Sequence, residues 1–87
     1  DVVISEHAQF EIIRRQISEE MVRNVAQRPQ QTIELSSKAQ FVKNRYYNMV
    51  EGKEMLLRVI CEKRHGAFFI VTAYKTSKVD KYWKKGD

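Results

Sequence analysis

The chain changes character at Arg28-Pro29, and no other feature limits its fold as much. Pro29 is the only proline. The residue before a proline is pushed out of the helical region, so any helix arriving from upstream must stop there. Upstream, apolar residues recur at helical spacing. Ser5 is placed to cap a helix running to about Arg15 with Phe10, Ile13 and Ile17 as its apolar stripe. Ser18-Glu19-Glu20 restarts a second helix, with a capping hydroxyl and two carboxylates where the helix dipole favours them. Met21, Val22, Val25 and Ala26 form its stripe. Downstream the pattern turns to β. The stretches Thr32 to Leu35, Ala39 to Met49, Glu54 to Lys63 and Ala67 to Tyr74 are rich in β-branched and aromatic residues. They are parted by Ser36-Ser37, Glu51-Gly52-Lys53 and Arg64-His65-Gly66, connections short enough only for hairpins. The expected fold is α+β, with two N-terminal helices packed on a twisted antiparallel sheet of about four strands. The residues from Ser77 to Lys85 suit a short helix or a charged tail.

Eighty-seven residues support one hydrophobic core, so residues 1–87 are expected to form a single domain. With 43% hydrophobic residues the chain has enough apolar mass to fold without a metal or a disulfide. One cysteine excludes an internal disulfide and a cysteine-rich zinc site, and Cys61 reads as a small buried hydrophobe. His7 and His65 lie far apart, and no His, Asp or Glu spacing suits a metal. No metal and no cofactor is therefore expected. His65 sits in a turn beside Gly66, where a structural role outweighs a functional one. No apolar run approaches the roughly 20 residues of a membrane-spanning helix, which points to a soluble, cytoplasmic protein with no membrane partner.

Charge is unevenly placed. Asp1 to Ser37 holds four basic and six acidic residues, whereas Lys38 to Asp87 holds twelve basic and five acidic. A basic excess confined to one part of a small domain suits a polyanion surface, and ordinary solubilising lysines are the plainer alternative. Within the basic half, the last strand should alternate its side chains, with Ile70, Thr72 and Tyr74 on one face and Val71, Ala73 and Lys75 on the other. Its hairpin partner carries Arg58 among Leu56, Leu57, Val59 and Ile60. An arginine in such a run is costly unless its charge meets a partner or reaches the surface. Convergence of Arg58 with Thr72 or Tyr74 at the sheet edge would make a site; an arginine that snorkels to solvent would not.

The residues Ser5-Glu-His-Ala8, Arg15-Gln-Ile-Ser-Glu-Glu-Met-Val22, Arg28-Pro-Gln30 and Phe69 to Trp83 resemble the domain of unknown function 4258 family. That family in turn resembles the RelE/ParE-like toxins of bacterial toxin–antitoxin systems, within the metal-independent ribonuclease folds that include barnase and the colicin nucleases. The resemblance spans about Val3 to Trp83 and implies helices on a strongly twisted sheet. It places the His-Ala pair at His7-Ala8, the Arg-x-Ile-Ser element from Arg15, the penultimate-strand arginine at Arg58, the Val-Thr-x-Tyr element at Val71 to Tyr74 and the terminal Lys-Tyr-Trp at Lys81 to Trp83. One departure is Glu11, where many such proteins carry a basic residue four after the histidine.

What the resemblance implies is a toxin that cuts RNA without a metal. Such cleavage needs a group that accepts the ribose 2′-hydroxyl proton, cations on the phosphate and an acid for the leaving oxygen. His7 would be the acid/base; Arg58, with Lys75 or Lys78, would hold phosphate, and Thr72 and Tyr74 would donate hydrogen bonds to it. Arg15 would orient the site or bind RNA backbone, Lys81 would add charge, and Tyr82 or Trp83 would stack on a base. The implied partners are RNA and a cognate antitoxin protein. A non-catalytic module of the same fold, binding RNA, DNA or a protein such as a topoisomerase, would use the same basic surface without needing His7. A purely structural domain would leave the basic half unexplained.

Overall fold

The computed structural model describes residues 2–85. In chain order these form β1 (Val2–Ile4), α1 (Glu6–Arg14), α2 (Glu19–Gln27), β2 (Gln31–Glu34), β3 (Ala39–Asn48), β4 (Lys53–Arg64), β5 (Ala67–Thr76) and α3 (Val79–Tyr82). Both long helices start where their serines allow. The Ser5 hydroxyl accepts from the Ala8 N–H at 3.1 Å, and the Ser18 hydroxyl accepts from the Met21 N–H at 3.3 Å. The two helices are separated by a turn with Gln16 at φ 55°, in which the Gln16 N–H bonds the Ile13 carbonyl at 3.1 Å and the Ile17 N–H bonds the Ile12 carbonyl at 2.8 Å. This Schellman ending satisfies the last carbonyls of α1 and brings Ile17 back against the core beside Ile12.

The sheet has five strands in the order β1-β5-β4-β3-β2 and is mixed, because β1 pairs with β5 in parallel. The sequence led to about four antiparallel strands. The additional one is the three-residue β1, held on one side by β5 and on the other by Arg23 of α2, whose Nη1 donates to the Val2 carbonyl at 2.8 Å. The β4–β5 hairpin closes through His65 (φ 50°) and Gly66 (φ 78°), the two left-handed residues that a two-residue hairpin turn needs. That gives His65 a conformational task.

Ala8 and Ile12 of α1 and Val22, Val25 and Ala26 of α2 pack with Val42, Leu57, Val59, Cys61, Ile70 and Ala73 into one core on a single face of the sheet. The expected α1 stripe is therefore corrected: Phe10 is 63% exposed and Ile13 76%. α1 turns its small Ala8 and Ile12 inward, and Glu11 lies between them, 7% exposed. Cys61 is 1% exposed, and burial pushes its thiol up to about 11, as suits an inert core residue.

The sidedness expected of β5 is also corrected. Ile60 pairs with Thr72 and Cys61 with Ile70, so Val71 is an extra residue, a β-bulge. Ile70 and Ala73 consequently share the helix-bearing face, and Thr72 and Tyr74 turn to the opposite one. Lys75 pairs with the core residue Leu57 and lies on the helix-bearing side, away from Tyr74. Among the described residues no helix is long and apolar enough to cross a membrane.

Candidate nucleic-acid interface

Leu57 and Val59 face the helices, so Arg58 between them must face the other way. β4 is the middle strand, which puts Arg58 at the centre of the sheet rather than at its edge. Its ladder partners are Tyr74 on β5 and Lys43 on β3, and Lys43 in turn pairs with Gln31 on β2. A polar row of Tyr74, Arg58, Lys43 and Gln31 thus crosses the face of the sheet opposite α1 and α2.

Arg58 is 8% exposed. Its Nη1 donates to the Tyr74 hydroxyl, and its guanidinium carbon lies 4.4 Å from the Phe41 ring centroid, 4.2 Å from that of Tyr82 and 5.4 Å from that of Tyr74. Three aromatic faces supply negative potential, each contact worth about 0.5–2 kcal/mol. None of the ion pairs among the described residues involves Arg58. Its Nε is buried without a hydrogen-bond partner, an omission that costs roughly 1–3 kcal/mol or more for a charged group. A buried guanidinium with a spare N–H and rings for neighbours has the chemistry to hold an anion. Lys43, 1% exposed, lies beside it and donates to the Tyr82 carbonyl at 2.5 Å.

Thr72 shares this face one rung beyond Tyr74 and is half-buried. The C-terminal segment lies over the row. The Gln31 side chain bonds the Lys84 carbonyl at 2.7 Å and the Lys84 N–H at 3.0 Å, and Arg45 stacks on Trp83 at 4.9 Å. Tyr82 and Trp83, assigned from the sequence to bases, are stacked on the domain's own arginines. Lys78 and Lys81 are exposed at the rim of this segment, and Lys81 lies 5.2 Å from the Tyr82 ring.

Two of the sequence-assigned residues stand apart from this cluster. His7 is exposed in the first turn of α1, on the helix-bearing side of the sheet, one helical turn from Glu11. Arg15 is committed to the fold: its Nη2 pairs with Glu11 at 2.7 Å and its Nη1 donates to the Ala73 carbonyl at 2.8 Å. Glu11, the departure noted in the sequence, thus joins α1 to β5 through Arg15. The hydrogen bond from Arg14, at 2.6 Å, is the chief cause that holds the Glu11 carboxyl below its ordinary range, with the charges of Arg14 and Arg15 adding to it against partial burial. A depressed carboxyl contributes stability that is present above its unfolded value and is lost as pH falls through its folded one. Glu11→Gln is therefore expected to flatten the fall of the melting temperature in the acid range below about pH 4. An unchanged acid limb would show that the cluster adds nothing.

Sequence reasoning missed Lys43, Gln31 and Phe41. The period-two run Phe41, Lys43, Arg45, Tyr47 was available as a signal, but it gains meaning only once the register sets Lys43 beside Arg58. Metal ligands do not gather here: among the described residues no group of three or more His, Cys, Asp or Glu side chains is placed to hold an ion.

Against known proteins, the family described as Domain of unknown function (DUF4258) matches residues 4–75. The chain belongs to this family. The match runs through Arg58 and Tyr74 and ends at the close of β5, so the covering segment of this DUF4258 domain lies beyond the matched residues. No curated protein and no solved structure matches it.

Proposed function

We propose that this DUF4258 domain is a RelE/ParE-like toxin of a bacterial toxin–antitoxin pair that binds RNA on the face of its sheet opposite α1 and α2 and cleaves it without a metal. The reading rests on Arg58, a buried cation with a spare N–H, hydrogen-bonded to a tyrosine hydroxyl and set on the face that also carries Lys43. In such a cleavage the ribose 2′-oxygen bonds to phosphorus and the bond to the 5′-oxygen breaks. Arg58 would neutralise the charge gathering on the phosphate, and Tyr74 would give its proton to the leaving oxygen while solvent takes the 2′ proton. Thr72 would donate to a phosphate oxygen. Lys75, on the other face, is left out of this site, and so is His7.

The separation of His7 from Arg58 favours a second reading, a module of the same fold that binds RNA, DNA or a protein without cutting. Induced expression in bacteria with and without the adjacent open reading frame, scored for growth and RNA integrity, separates the two. The toxin reading expects growth arrest relieved by the neighbour and RNA cut by purified protein in EDTA, with cleavage lost in Tyr74→Phe and kept in His7→Ala. Arrest with intact RNA would point to the binding module, and no arrest would remove the toxin. Binding to a single strand should also weaken steeply with salt, with log affinity falling by about 0.7 per phosphate contact for each tenfold rise in salt concentration. Affinity indifferent to salt would sink the polyanion surface.

A further inference from the structure

On the RNA-binding reading, we propose that residues 79–84 are a removable cover that competes with RNA for the Arg58 face, each of their contacts standing in for one that RNA makes. α3 spans four residues, too few to persist as an isolated helix, and none of them is buried. The segment is held instead by exchangeable contacts. The Tyr82 carbonyl takes the Lys43 ammonium, where a phosphate oxygen would carry a full charge. The Tyr82 and Trp83 rings stack on Arg58 and Arg45, where bases would stack. The Lys84 peptide offers Gln31 one donor and one acceptor, the pattern that a base edge presents to a carboxamide.

Arg58 is 8% exposed with this cover in place, so a phosphate reaches it only when the segment lifts. Binding then carries the cost of opening, and apparent affinity falls by the fraction of molecules that are open. Lys43 and Gln31 hold the segment by its backbone and would equally hold RNA, whereas the Tyr82 and Trp83 rings belong to the cover alone and set its strength. Both can be changed without touching Arg58 or Tyr74.

The test measures affinity for a labelled single-stranded RNA by anisotropy in the full chain, in Tyr82→Ala and in Trp83→Ala, each checked by circular dichroism. Trp83 is the only tryptophan, so its emission reports on the segment in the unaltered protein and in Tyr82→Ala. A competing cover predicts at least roughly threefold tighter binding in the folded variants and a red shift of Trp83 emission when RNA saturates the unaltered chain. Binding that is unchanged or weaker in the variants, or emission unmoved by bound RNA, overturns the cover and leaves the RNA reading standing. If neither the unaltered chain nor any variant binds RNA, the RNA reading fails and the cover with it.

Discussion

Arg58→Met is expected to reduce RNA affinity by roughly 10- to 100-fold while moving the melting temperature by no more than about 5 °C, because on the proposed reading the guanidinium serves an anion better than it serves the fold. A charge-assisted contact to phosphate is worth about 1.5–3 kcal/mol, which sets the size of the loss. On the folding side the terms oppose one another. Methionine forfeits the ring contacts to Phe41, Tyr74 and Tyr82 and the bond to the Tyr74 hydroxyl. It also removes a buried charge with an unsatisfied Nε and a cation opposite Lys43, and it fills much of the same volume. Tyr74 is only half-buried, so its hydroxyl can turn to water. Arg58→Lys should recover part of the binding, since the charge remains and the planar fork is lost. Thermal denaturation beside a binding titration decides the matter. Should Arg58→Met melt far below the parent, with affinity tracking only the folded fraction, the arginine belongs to the fold and the anion site is misplaced.

The parts of this fold legible in the sequence were those governed by local chemistry. Ser5, Ser18 and Pro29 mark the helix limits through neighbours within a few residues, and Gly52 and Gly66 mark hairpin turns for the same reason. What escaped depends on residues far apart in the chain. β1 is three residues long and becomes a strand only beside β5, more than sixty positions away. The bulge at Val71 leaves no compositional trace, yet it decides that Tyr74 faces Arg58 while Ile70 stays in the core. On α1, hydrophobicity favoured Phe10 and Ile13, but the close approach of the helix to β5 selected Ala8 and a Glu11 sheltered by two arginines. The site was legible in part for the same reason. Arg58 and Tyr74 were conspicuous as polar residues in apolar strands, whereas Lys43 and the self-stacking of Tyr82 and Trp83 required the tertiary arrangement.

Leu57→Ala is expected to be the most damaging single truncation, costing about 3–5 kcal/mol and lowering the melting temperature by roughly 15–30 °C in a domain of this size. Leu57 is 1% exposed at the middle of the central strand, within the core that binds both long helices to the sheet. Truncation removes several buried methyl and methylene groups and leaves a cavity, and a strand hydrogen-bonded on both sides has little freedom to close it. Leu56, the next residue, is 0% exposed but faces the other way, in the row of Arg45 and Thr76 and outside the helix-bearing core. Its truncation should cost less, about 2–3 kcal/mol, because the C-terminal segment over that face can settle into part of the space. The two adjacent leucines thus test whether the faces differ in rigidity as their contacts imply. Urea melts of the two variants at matched pH give the comparison, with an unchanged slope required for a two-state reading. Equal losses at both positions would mean that the segment is as firmly packed as the helices, and a cover so fixed could not yield to RNA.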